Sequence, residues 1–197
     1  MEKTVSYINY TGEPFDKKEL HKMDAYEIIY KEDGLTKKIE HCENGGPVRL
    51  TYYMSENENM PYILDNCGFE YVTIVKTTRV GLHKIEESVT YDEKELYFIT
   101  KLLKDQFDGW ICRQEYDINA TQPILIETDK YYNDPDDNDK TLLEFGYDDN
   151  GLIDDVGGEL IWKIEDGNLS GLDKFLKYFP DFLKDHPYYA NADFLPH

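Results

Sequence analysis

Arginine is nearly absent from this chain: Arg49, Arg79 and Arg113 are the only three, and lysine brings the basic total to just 21 against 41 aspartates and glutamates. At a formal charge of −20 the surface has too few cations to replace the counterions of nucleic acid phosphate or anionic lipid, so binding to either is not expected. Cysteine is scarce too. Cys42, Cys67 and Cys112 are widely spaced, odd in number and form no CxxC pair, which excludes a disulfide framework and reads as reduced thiols of a cytosolic protein. No apolar run approaches the ~18 residues that span a bilayer, and the segment from Met1 to Tyr10 lacks a basic stretch followed by an apolar one. The expectation is a cytoplasmic protein with no membrane partner.

Catalytic signatures are missing as well. His21, His41, His83, His186 and His197 form no HExxH or HxH motif, and His41-Cys42 stands alone without zinc spacing. There is no GxSxG elbow, no GxxxxGK[ST] loop and no GxGxxG fingerprint, and Gly45-Gly46 and Gly157-Gly158 read as turns. Carboxylates are so numerous that no acid/base couple stands out; Glu86 and Glu87, for example, would face opposite sides of a strand. The chain does not read as an enzyme, and no cofactor is expected.

What is present is enough for a core: a 40% hydrophobic share with 17 tyrosines in 197 residues, which suits a single domain over residues 1–197. Strand-like runs rich in β-branched and aromatic residues occupy 26–30, 48–54, 69–78, 81–90, 110–116, 124–128, 142–147 and 159–164. Turn signals separate them at Glu32–Gly34, Asn44–Pro47 and Asp148–Gly151; the last contains Asn-Gly, a hairpin signal of type I′. Asp92 with Glu95 forms a capping box for a helix over 93–104, although Tyr97-Phe98-Ile99 fits a strand equally well. The clearest helix covers 169–184, where Leu169, Leu172, Phe175, Leu176, Phe179, Phe182 and Leu183 recur at helical spacing and Pro180 should kink or divide it. The predicted fold class is α+β: mainly an antiparallel sheet in meander order, covered by the C-terminal amphipathic helix, with room for one internal helix.

Charge is clustered within the chain. Residues 127–166 hold fourteen carboxylates against Lys130, Lys140 and Lys163, a strand–loop–hairpin region of net −11. Asp134-Pro-Asp136-Asp137-Asn138-Asp139 offers oxygens at the first, third and fifth positions of a calcium loop. It then has Asp139 where an EF-hand needs Gly and Phe145 where it needs Glu, so no metal site is assigned and a solvated acidic loop is expected. A field of this sign attracts basic surfaces and speeds encounter with them. The candidate partner-binding residues are Asp134, Asp136, Asp137, Asp139, Asp148, Asp149, Asp154 and Asp155, with Tyr131, Tyr132 and Tyr147 as aromatic anchors.

Two phrases echo each other, Tyr30-Lys-Glu-Asp-Gly34-Leu35 and Tyr147-Asp-Asp-Asn-Gly151-Leu152. The second, extended to Phe145, resembles a unit of the tyrosine–aspartate repeats of bacterial Rhs-type proteins, and the first is similar to the hairpins of MORN-like antitoxin components. Two copies do not make a solenoid, which needs at least three stacked units. With the acidic, tyrosine-rich and motif-free composition, the chain resembles bacterial toxin-immunity proteins. That resemblance implies neutralisation of a cognate toxin by occlusion of its basic active-site or substrate-binding surface, and it transfers no functional residue. Two other classes use the same features differently: a nucleic-acid mimic that regulates a DNA-binding protein, and an enzyme or carbohydrate-binding protein whose site is assembled from scattered residues.

Overall fold

The computed structural model describes residues 2–119 and 122–196, apart from the side chains of residues 119, 122, 138 and 139. The described strands succeed one another in chain order through one sheet: β1 (Lys3–Asn9), β2 (Ala25–Glu32), β3 (Leu35–Glu43), β4 (Gly46–Met54), β5 (Tyr71–Val80), β6 (His83–Asp92), β7 (Glu95–Lys104), β8 (Trp110–Asn119), β9 (Gln122–Asp134), β10 (Asp137–Tyr147) and β11 (Ile153–Gly157). β1 to β4 and β8 to β11 pair antiparallel along the chain, as the predicted α+β meander requires. β4 and β5 run parallel, which a hairpin cannot connect, and the crossover carries α1 (Met60–Asn66).

The internal helix therefore exists, but not at 93–104. That segment is β7, entered through a tight turn with Glu93 and Lys94 both at positive φ, 48° and 68°. Asp92, read as a helix cap, ends β6 instead, and the β-prone run Leu96–Ile99 decides for strand. Residues 159–164, expected as a strand, begin with α2 (Glu159–Trp162). Gly158 precedes it at φ 98°, where a Cβ would lie 2.6 Å from the Leu142 carbonyl. In the 148–151 turn only Gly151 takes positive φ, 75°, so the turn is not type I′. The 169–184 helix divides at Pro180 as expected, into α3 (Gly171–Tyr178), capped by Ser170 on the Asp173 amide at 3.1 Å, and α4 (Phe182–Asp185).

Where the sequence reads as one domain, the chain gathers into two compact units, Met1–Thr77 with Glu87–Phe98, and Thr78–Glu86 with Ile99–His197. The long strands β5, β6 and β7 contribute to both, so no linker composition marks a boundary. The first unit packs α1 on its strands around Leu50, Ile63, Val72 and Ile74. The second buries Leu143, Phe145, Tyr147, Val156, Ile161 and Phe175 between β10, β11 and the C-terminal helices. Phe145 is its centre, edge-on to Phe175 at 5.2 Å and stacked on Phe182 at 5.7 Å. Each such side chain contributes ~1.5–3 kcal/mol when fully buried. Among the described residues no helix is long and apolar enough to cross a membrane.

Candidate functional site

Strand periodicity sorts the acidic region into faces. On β9, Thr128, Lys130 and Tyr132 turn toward the C-terminal helices, and on β10 so do Leu143, Phe145 and Tyr147. The intervening residues, Asp129 and Tyr131 on β9 with Glu144 and Gly146 on β10, face the other way. The register pairs Glu144 with Tyr131 and Gly146 with Asp129, so this outer face is continuous across the two strands.

The eight aspartates do not form one patch. Asp134, Asp136 and Asp137 sit at the β9–β10 turn, whereas Asp148 and Asp149 follow the far end of β10, roughly 30 Å away at strand rise. The expected acidic loop at 134–139 is mostly strand, tightened by the Asp134 carboxylate accepting the Asp136 amide at 3.0 Å. Lys140 neutralises part of this end, lying 3.5 Å from Asp134 and 3.0 Å from Glu159, and Lys163 pairs with Glu159 as well. The Asp139 side chain lies outside the described residues.

The other end keeps its charge. Asp148 accepts the amides of Leu152 and Asn150, each at 2.9 Å, and the Leu152 amide above all holds its carboxyl below the usual carboxylate range. A bulge between β10 and β11 sets Asp154 and Asp155 against Gly146, whose missing side chain leaves them room: a Cβ there would lie 3.4 Å from the Asp154 Oδ1. Among the described residues Asp149, Asp154 and Asp155 make no ion pair. On the outer face nearby, Arg113 is shared by Glu115, Glu127 at 3.6 Å and Asp129 at 3.4 Å. One guanidinium does not satisfy three carboxylates. Burial, then the neighbouring Glu127 and Glu144, push Asp129 up to about 6 despite Arg113.

Beside this end lies a groove of about 680 Å³, between Ile124–Thr128 of β9 and the segment Tyr147–Gly151, with Ala192 at its base. Ile124, Leu125 and Ile126 are 47%, 43% and 52% exposed, an uncommon density of large apolar side chains in water.

The tyrosines fall differently from expectation. Tyr147 is buried, donating to the Tyr189 carbonyl at 2.8 Å, and Tyr132 packs edge-on against Phe182 at 5.0 Å. Both hold the C-terminal segment down, Tyr147 buried and Tyr132 half-buried. Tyr131 is half-buried on the outer face against Trp110, ring centroids 5.9 Å apart. Sequence reading missed Arg113, Glu115, Asp129, Glu144 and the 124–126 run. The alternation of Glu127, Asp129 and Tyr131 was the signal that would have found the outer face.

The first unit has a cavity of about 550 Å³ between α1 and β3–β4, floored by Leu50 and Ile63 and walled by Tyr52, Tyr62 and Cys67. Its one strongly shifted acid, Glu58, is held down to about 2 against the cost of burial by Lys37, the Ser55 amide and the Tyr52 hydroxyl. Those partners saturate it, so it is a structural anion and not a poised acid or base. Among the described residues no group of three or more His, Cys, Asp or Glu could hold a metal ion. Comparison with known proteins finds no matching family model, no matching curated protein and no matching solved structure.

Proposed function

We propose that the protein is a cytoplasmic binding protein of the toxin-immunity type, which neutralises a basic protein partner by covering its active-site or substrate-binding surface. The observation that carries this reading is the unequal neutralisation of the two acidic ends. Lys140 offsets carboxylates at the 134–140 end, whereas among the described residues Asp149, Asp154 and Asp155 make no ion pair, and Asp148 and Asp149 border the groove that exposes Ile124–Ile126. Like charges held together destabilise the free protein slightly and are relieved only by an incoming cation. The apolar run supplies the desolvated contact that charge alone does not give.

The test is capture of the partner by the tagged full-length protein from its native cells at low and high salt, followed by kinetics on two charge reversals. Reversing Asp148, Asp149, Asp154 and Asp155 to Lys should weaken the captured complex on the order of 100-fold and flatten its salt dependence. Reversing Asp134, Asp136 and Asp137 should change affinity only a few-fold, since ~8 Å screening isolates the two ends. Equal affinity across all three proteins would end the proposal.

A further inference from the structure

We infer that the partner is received by strand addition: an extended segment bearing alternating basic and apolar side chains pairs with the open edge of β9 at residues 123–128. This rests on the binding reading above and adds its geometry. The β9–β10 ladder stops at Asp129 opposite Gly146, where the bulge and the turn at 148–151 carry the chain away. On its other side β9 stays paired with β8, Glu127 with Glu115, Leu125 with Tyr116 and Ile124 with Asp117. Among the described residues no main-chain hydrogen bond closes the outer edge of 124–128. Every second residue there presents its N–H and C=O to the groove, as in any strand edge.

Proteins blunt such edges with lysine, proline or a covering segment. β1 shows the defence in this chain: Lys3 opens it, and residues 13–15 cover its far end through Asn9 N–H to Glu13 at 2.9 Å and Phe15 N–H to Tyr7 at 3.1 Å. Along 123–128 the chain has Pro123 at the start and a bulge at Ile126, where Glu127 opposes Glu115 and Leu125 opposes Tyr116, yet no lysine, and Ile124, Leu125 and Ile126 are all left exposed. The groove of about 680 Å³ runs along the residues whose edge is open, the side on which a further strand would sit ~4.8 Å from its neighbour. The rim decides the occupant. Glu127, Asp148 and Asp149 border the groove, so a second copy of this chain would set carboxylate against carboxylate, whereas a basic strand pairs with them.

The experiment uses the full-length protein and the acetylated heptapeptide Lys-Val-Lys-Ile-Lys-Val-Lys, with two versions N-methylated at its odd or its even residues. All three carry the same charges and side chains, and the methyl groups block one or the other set of main-chain donors. Expected are at least tenfold weaker binding for one methylated version and at least tenfold slower amide exchange within 124–128 when the parent peptide is bound. Equal binding of all three peptides, or no protection at 124–128, overturns strand addition. If the Asp148→Lys, Asp149→Lys protein loses its cellular partner in the same series, the acidic-surface reading survives that failure; if it does not, both fall. Concentration-dependent dimerisation that Ile124→Thr with Ile126→Thr abolishes would assign the edge to a second copy and overturn the proposal as well.

Discussion

The two ends of β10 carry similar sequence and different physics. At its start, Asp134 and Glu159 share Lys140, and the turn is closed by its own hydrogen bonds. Past its end, a bulge sets Asp154 and Asp155 against Gly146, and β9 runs on beyond β10 paired with β8, its Ile124 and Ile126 exposed. Charge density along a chain therefore says little about charge density in space. An antiparallel strand of eleven residues takes two acidic runs that look like one cluster and sets them at opposite ends. What distinguishes them is the company each keeps: Lys140 and Lys163 serve the first end, whereas among the described residues Asp149, Asp154 and Asp155 have no ion pair at the second.

The two ends stay apart only while β10 is held straight, and the aromatic cluster between β10, β11 and the C-terminal helices holds it. Phe145 is fully buried and central to that cluster, so Phe145→Ala removes the rings' common contact and leaves a cavity between β10 and the C-terminal helices. The expected cost is about 3–5 kcal/mol in urea unfolding. A loss below about 1 kcal/mol would mean that the cluster under β10 repacks freely and does not hold the two ends apart.

How much of this was legible follows from what each residue's signal depends on. The strands and the divided C-terminal helix were readable because β-branched runs, a Ser cap and Pro180 act locally. The 93–104 segment misled because a helix cap and a tight-turn entrance use the same residue types, and only pairing with β6 separates them. Tyr132 and Tyr147 read as interface anchors because a tyrosine's ring suits a core and a surface equally; the tail carbonyl of Tyr189 that claims the Tyr147 hydroxyl lies 42 residues away. The bare edge at 123–128 has no sequence signal at all. It exists because a neighbouring strand ends early.

The inner face offers a second way to sharpen the contrast. Lys130 is fully buried opposite Phe145, with its Nζ donating to the Tyr188 carbonyl and lying 3.6 Å from the Tyr188 ring centre, Tyr147 and Cys112 beside it. Burial pushes it down to about 8, although Cys112 and Asp193 pull the other way. Between pH 8 and about 10.5 the unfolded chain keeps the proton that the folded one releases, so stability should rise through that window. In a Cys112→Ala background, adding Lys130→Met should remove about 2 kcal/mol of that rise, the full shift being discounted for residual solvation. Parallel stability curves for the two proteins from pH 8 to 10.5 would show that the lysine is not held in an apolar site.

The smallest effect tests the outer face at the uncompensated end. Asp129 is pushed up to about 6 by burial and by Glu127 and Glu144, with Arg113 only partly offsetting them. A carboxyl raised in the folded state keeps its proton where the unfolded chain has lost it, so the folded protein loses stability as pH climbs from about 4 to about 6. The cost is complete at pH 7 and absent below pH 4. Asp129→Asn should therefore match the parent at pH 4 and exceed it by about 1 kcal/mol at pH 7, the loss of its bond to Arg113 trimming the gain. Thermal unfolding of both proteins across pH 4–7 reads this directly. The same substitution lowers the negative charge beside the groove, so it should also weaken capture of a basic partner while stabilising the free protein. Opposite signs in the two measurements are what an acidic surface retained for binding requires; a variant that is less stable at pH 7 would mean that Arg113 fully compensates this face, and the contrast between the two ends of β10 would lose its footing.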